Sequence, residues 1–203
     1  MNFRAIWLGA VLAGAGLTGA AHGEVVKTTA DGFVTRDTAS VAATPMETWL
    51  MLIKPGQWWN PEHSWSGDAA NMTLTPQAGG CFCERIPGKD QPGAFALEGS
   101  AMHAMVVQAF PLHVLRMRGG LGPLQGEPAT GVLTITLKPV DGGTRIMWEY
   151  NVGGPMRYTI DEIAPAVDGV MSEQLHRLQQ KLGALTETRE DKESSETDGD
   201  GND

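Results

Sequence analysis

Residues 160–183 read IDEIAPAVDGVMSEQLHRLQQKLG, and their apolar positions recur at steps of three and four: Ile160, Ala164, Val167, Met171, Leu175, Leu178 and Leu182. That spacing is the period of an amphipathic helix with one apolar stripe. Gly183 can close its C-terminus, and Pro165 is expected to set a first turn apart from the main body. A helix of this length must bury its stripe, so the preceding chain has to supply a surface for it.

That surface is a sheet. Between Met72 and Val152, runs rich in β-branched and apolar residues alternate with turn residues, giving strands at Met72–Thr75, Cys81–Ile86, Leu97–Phe110, Val114–Arg118, Gly131–Pro139 and Thr144–Val152. Polar positions mark the outward face. Thr134, Thr136 and Lys138 alternate with Leu133, Ile135 and Leu137, and Arg116 and Arg118 alternate with Leu115 and Met117. The other face is dry, and the helix 163–182 is expected to lie across it.

Upstream, Val25–Val41 is broken by Ala30-Asp31-Gly32 and reads as a bent first strand or a hairpin. Thr44-Pro45-Met46-Glu47 follows, with Thr44 as N-cap, Pro45 at the first helical position and Glu47 completing a capping box. Lys54-Pro55-Gly56 ends that short helix. Trp58, Trp59 and Trp65 then sit in a turn-rich connection whose aromatic weight must pack against something. The expected fold is α+β: a curved antiparallel sheet wrapped around a long C-terminal helix, with two short helices after the first strand.

The ends of the chain differ from its body. Residues 1–23 combine Arg4, an apolar run to about Leu17 and small residues Ala21 and Gly23 before Glu24, the pattern of a secretory signal. The run is shorter than the roughly 20 apolar residues of a spanning helix. Residues 187–203 hold eight acids against Arg189 and Lys192 and no apolar residue, and read as a disordered acidic tail. The domain is therefore expected over 24–186, in a periplasmic or secreted protein. The whole chain carries a net charge of −9 without a basic stripe, which argues against nucleic acid as a partner.

Several strings together resemble the START-like superfamily, also called SRPBCC or polyketide-cyclase-like: WWNPEHSWSGDAAN at 58–71, AGGCFCERIPG at 78–88, LRMRGGLGPLQ at 115–125, GVLTITLKPVDGGTRI at 131–146, YNVGG at 150–154 and IAPAVDGVMSEQLHRL at 163–178. The resemblance runs from about Phe33 to Leu182 and is strongest to a branch of exported bacterial members. It implies a helix-grip fold whose sheet and C-terminal helix enclose a cavity for lipophilic molecules, used by carriers, sensors, cyclases and some hydrolases. It carries no catalytic set over to this chain.

The chain's two cysteines, Cys81 and Cys83, are two apart on one strand and share a face. A hairpin turning near Gln91-Pro92 would bring Cys81 opposite His103 and Cys83 opposite Ala101. Glu98, Ser100 and Gln108 would then face outward and Ala101, His103, Met105 and Val107 inward, with Glu84 outside. Trp65, Cys81, Cys83, His103, Met105, Trp148, Tyr150 and Met171 are accordingly the expected cavity residues. Three chemistries fit two sulfurs and an imidazole there: small buried hydrophobes beside a hydrogen-bonded core histidine, a disulfide within the CxC, or a zinc or copper site on Cys81, Cys83 and His103. Gly119–Gln125 lacks the spacing of a dinucleotide fingerprint and reads as a loop at the cavity mouth.

The function expected is that of an exported binder or carrier of a small lipophilic ligand, held in an internal cavity between the sheet and the helix 163–182. No cofactor is required by this reading; zinc enters only with the metal alternative. The rival is a cyclase or hydrolase acting on a hydrophobic substrate, with His103 as acid or base and Cys81 or Cys83 as nucleophile or metal ligand.

Overall fold

The N-terminal run folds as a hairpin, with β1 (His22–Thr29) and β2 (Gly32–Val41) turning at Ala30-Asp31. The computed structural model describes residues 22–88 and 95–185. The predicted signal up to residue 21, the turn at Gln91-Pro92 and the acidic tail lie outside the described residues. Helix α1 (Pro45–Leu52) carries the capping box as predicted: Thr44 accepts from the Glu47 N–H, and the Glu47 carboxylate accepts from the Thr44 N–H at 2.9 Å. The further short helix expected after α1 takes 3₁₀ form, as single turns at 55–57, 61–63 and 69–71, each begun by a proline or an Asp/Asn cap.

The remaining strands are β3 (Met72–Leu74), β4 (Cys81–Ile86), β5 (Gly99–Phe110), β6 (Val114–Arg118), β7 (Thr130–Val140) and β8 (Gly143–Gly153). All eight form one antiparallel sheet in the order β1-β2-β8-β7-β6-β5-β4-β3. Its inner face is built by strict alternation: Leu133, Ile135 and Leu137 of β7 and Ile146, Trp148, Tyr150 and Val152 of β8 are all buried. Helix α2 (Ile160–Leu182) buries Ile163, Ala164, Val167, Met171, Leu175 and Leu178, and Gly183 ends it at φ 78°. The helix runs unbroken through Pro165, against the expected break. Pro165 is the sixth residue of the helix, past the first turn, and costs it the one main-chain bond that would reach the Asp161 carbonyl.

Helix α2 packs on β1 and β2 and against α1. It therefore covers one part of the dry face, and a second element covers another: segment 55–71, whose Trp58 and Trp59 are both buried. Trp58 meets Trp148 at a tilt, ring centroids 5.8 Å apart, and Trp59 meets Phe82 edge-on at 5.3 Å. Side chains of α2 hold this segment down: Gln174 accepts from the Asn60 N–H, Glu173 from the Asn60 amide, and Arg177 donates to the Trp58 carbonyl.

Candidate functional site

The pairing of β4 with β5 decides what faces inward. Cys81 lies opposite Met105, Phe82 opposite Ala104 and Cys83 opposite Met102, with a bulge between Phe82 and Cys83 that leaves His103 as the extra residue. Phe82, Glu84, His103 and Ala104 point into the protein and are buried. Cys81 and Cys83 point outward with Met102 and Met105, which are 62% and 42% exposed. The expected facing is thus corrected for Cys81, Cys83, Met105 and Glu84, while His103 faces inward. A slip of one residue at Cys83 exchanges the two faces of a strand. The apolar signal lay in Phe82: an inward cysteine pair would have exposed a benzyl side chain.

Glu84 is the centre of the inward cluster. Its side chain is out of contact with solvent; Oε1 accepts from the Ser66 N–H at 2.6 Å, and Oε2 accepts from the Trp65 N–H at 3.1 Å and faces Nε2 of His103 at 2.9 Å. Burial works against its ionisation, but the bonds from Ser66, Trp65 and His103 outweigh it and hold the carboxyl below the usual range. The other ring nitrogen, Nδ1, lies 3.3 Å from the Gln125 amide nitrogen, while Gln125 Oε1 accepts from the Trp65 indole at 2.8 Å. A proton on Nε2 satisfies Glu84 and leaves Nδ1 as acceptor for Gln125. The cluster joins three segments: the 60–71 connection, the β4–β5 pair and the 122–126 turn.

From His103 an aromatic path leads inward. Its ring centroid is 5.0 Å from Phe82, which touches Trp59, Trp58 and then Trp148. At its end lies an apolar void between segment 55–71 and the sheet rather than, as expected, between the sheet and α2, because α2 covers β1 and β2 instead. The void measures about 20 Å³ and is walled by Trp58, Trp59, Phe82, Leu115, Leu133 and Trp148. This is room for about one water molecule, so the interior is nearly filled by indole rings. Two larger hollows are open surface grooves, one by Asp31 and Tyr158 and one by Glu47 and Lys181, and neither includes an expected site residue.

Of the other expected cavity residues, Trp148 lines the void and Met171 lies on the buried face of α2, outside the void's wall. Tyr150 is buried and turned to a different task. Its hydroxyl donates to the Gly119 carbonyl at 2.8 Å and accepts from the Leu121 N–H at 3.0 Å, tethering the 119–126 loop. Burial pushes its pKa to about 12, partly offset by the Leu121 bond. Trp65 is half exposed and held by Gln125.

Cys81 and Cys83 form a disulfide, with Cα atoms 5.3 Å apart. The zinc or copper set Cys81, Cys83 and His103 is not brought together, because the sheet separates the sulfurs from the imidazole. Among the described residues no group of three or more His, Cys, Asp or Glu side chains is arranged to hold a metal. Glu84, Phe82 and Gln125 were not expected; a carboxylate on a strand gives no sign in sequence of the main-chain donors that will meet it.

A family model described as polyketide cyclase / dehydrase and lipid transport matches residues 33–183. No curated protein matches the chain. Among solved structures, an uncharacterised protein from Rhizobium leguminosarum is similar at 16% identity and a TM-score of 0.52, covering 80% of this chain and 96% of its own. Protein Ms6760 from Mycobacterium smegmatis is similar at 15% identity and a TM-score of 0.50, covering 81% of this chain and 100% of its own. These likenesses concern the fold.

Proposed function

The chain belongs to the polyketide cyclase / dehydrase and lipid transport family, and from that premise we propose that it binds and carries a small lipophilic molecule between its sheet and segment 55–71. The observation that carries this reading is the void beside Trp58, Trp59 and Trp148, whose wall is apolar throughout. A ligand enters by displacing the Trp58–Trp59 pair, which rides on an irregular segment of single 3₁₀ turns. Removing ~300 Å² of ligand surface from water supplies ~7 kcal/mol toward that displacement and the cost of association. Extraction of the purified protein followed by mass spectrometry, with titration of tryptophan emission against long-chain fatty acids and polycyclic aromatics, tests this. A protein that carries no lipophile and whose emission no probe alters would end the proposal.

The Glu84–His103 pair favours a second reading, an enzyme acting on a hydrophobic substrate at the His103 end of the aromatic path. His103 would exchange a proton at Nδ1 once Gln125 gives way, and Glu84 would orient the ring. Cys81 and Cys83 drop out of this chemistry because they face outward. Loss of turnover in His103→Gln with lipophile binding retained would select the enzyme over the carrier.

The chain is proposed to be exported, on the strength of residues 1–23 and of a disulfide suited to an oxidising compartment. Gly23 pairs with Asp37 inside β1, and a Cβ there would collide with Ser172 and Asp37. Cleavage after Ala21 keeps this contact, so intact mass of the exported protein should begin at His22.

A further inference from the structure

The outer face of the sheet is polar over most of its width, with Arg36, Thr38, Thr134, Lys138, Arg145 and Glu149 outside β2, β7 and β8. Across β4 and β5 it changes to sulfur. Cys81 faces Met105 and Cys83 faces Met102 as direct cross-strand neighbours, a relation that sets Cβ atoms about 5 Å apart on one side of a sheet. Met102 and Met105 are 62% and 42% exposed. Solvent on a sheet face favours polar side chains, so two methionines aligned with the chain's two cysteines call for a reason.

We propose that Cys81, Cys83, Met102 and Met105 form a Cu(I) site when the disulfide is reduced. Thiolate and thioether sulfurs are soft ligands that select Cu(I) over the harder divalent ions, and the register places two of each side by side. The bulge at His103 makes this possible. It turns both His103 and Ala104 inward, so that Met102 and Met105, three residues apart, emerge on the same face. Arg118, exposed and directly opposite Met105 on β6, flanks the methionine side of the site with a cation.

The chemistry balances with a dithiol reductant. One of its thiolates attacks a sulfur of the Cys81–Cys83 bond, its second sulfur resolves the mixed disulfide, and two electrons pass from dithiol to cystine. Two protein thiols result. Cu(I) then displaces both thiol protons to solvent and is held by two thiolates and two thioethers. The oxidised protein offers thioethers alone, so copper loading is coupled to the redox state of this one bond.

Anaerobic titration of the full chain with Cu(I), against a chromophoric Cu(I) chelator, tests the site. The dithiol-reduced protein should take one equivalent from the chelator, and the oxidised protein should take none. Met102→Leu/Met105→Leu, two changes on an exposed face that leave the fold intact by circular dichroism, should weaken the reduced site at least tenfold. X-ray absorption should show sulfur neighbours alone. Failure of the reduced protein to bind, an unchanged affinity in the double methionine variant, or a nitrogen neighbour on the copper would each overturn the proposal.

Discussion

Nε2 of His103 and Oε2 of Glu84 stand 2.9 Å apart with both side chains closed off from solvent, on neighbouring strands brought into that register by a bulge. Glu84 also takes two main-chain donors, from Trp65 and Ser66. Glu84→Ala strands all three partners and should cost about 3 kcal/mol, read as a lower urea midpoint at unchanged slope. Because the folded carboxyl titrates below its ordinary 4.5, its contribution is complete above that pH. It disappears as pH falls through the lower folded value.

Asp37 has the opposite sign. It is buried on β2 facing α2, where Ser172 donates to both its oxygens, and burial with nearby Asp168 raises its pKa to about 6. Such a group favours the fold most below 3.8 and loses that advantage as pH rises through about 6. Asp37→Asn should therefore stabilise the protein by about 1–2 kcal/mol at pH 7 and little at pH 4. Urea unfolding at the two pH values measures the difference; equal effects at both would contradict the assignment.

Trp58 is both a structural plug and the proposed door. Trp58→Leu should cost about 3 kcal/mol by leaving space beside Trp148. The same change should increase the fluorescence of bound anilinonaphthalene sulfonate, since the enlarged void accepts an apolar probe. Loss of stability without any gain in probe binding would separate packing from access.

Tyr150→Phe should free the 119–126 loop while leaving the sheet intact. The hydroxyl pairs both the Gly119 carbonyl and the Leu121 N–H, so its removal should cost about 1–2 kcal/mol. Amide hydrogen exchange should accelerate at 119–126 ahead of β7 and β8. If His103 is masked by Gln125 of this loop, the variant should also expose the imidazole to alkylating reagents.

The sheet and its helix were legible because each is written as a period: two in Thr130–Val140, three and four in Ile160–Leu182. The capping box was legible because it is local. The inward face of β4 was not, since a bulge is chosen by tertiary packing and one residue of slip exchanges Cys83 for Glu84. Nor was the cover over Trp148: three 3₁₀ turns have no period, and only Asn60 and Trp58 meeting Gln174 and Arg177 show how they are fixed. The alternation of β5 turns His103 inward, but the same parity argument puts its partner Glu84 on the outer face, where the structure does not.

The strand order has a consequence for synthesis. The β1–β2 hairpin is made first, yet its inner neighbour is β8, completed at Gly153, and its cover is α2, completed at Leu182. Strands β3 to β8 pair with their neighbours in sequence and can zip together locally. The hairpin cannot bury Phe33, Ala39 and Val41 until β8 and α2 have been made. Closure of the core is thereby deferred to the domain's last helix, and the amino-terminal strands stay uncovered for as long as strands β3 to β8 are being added.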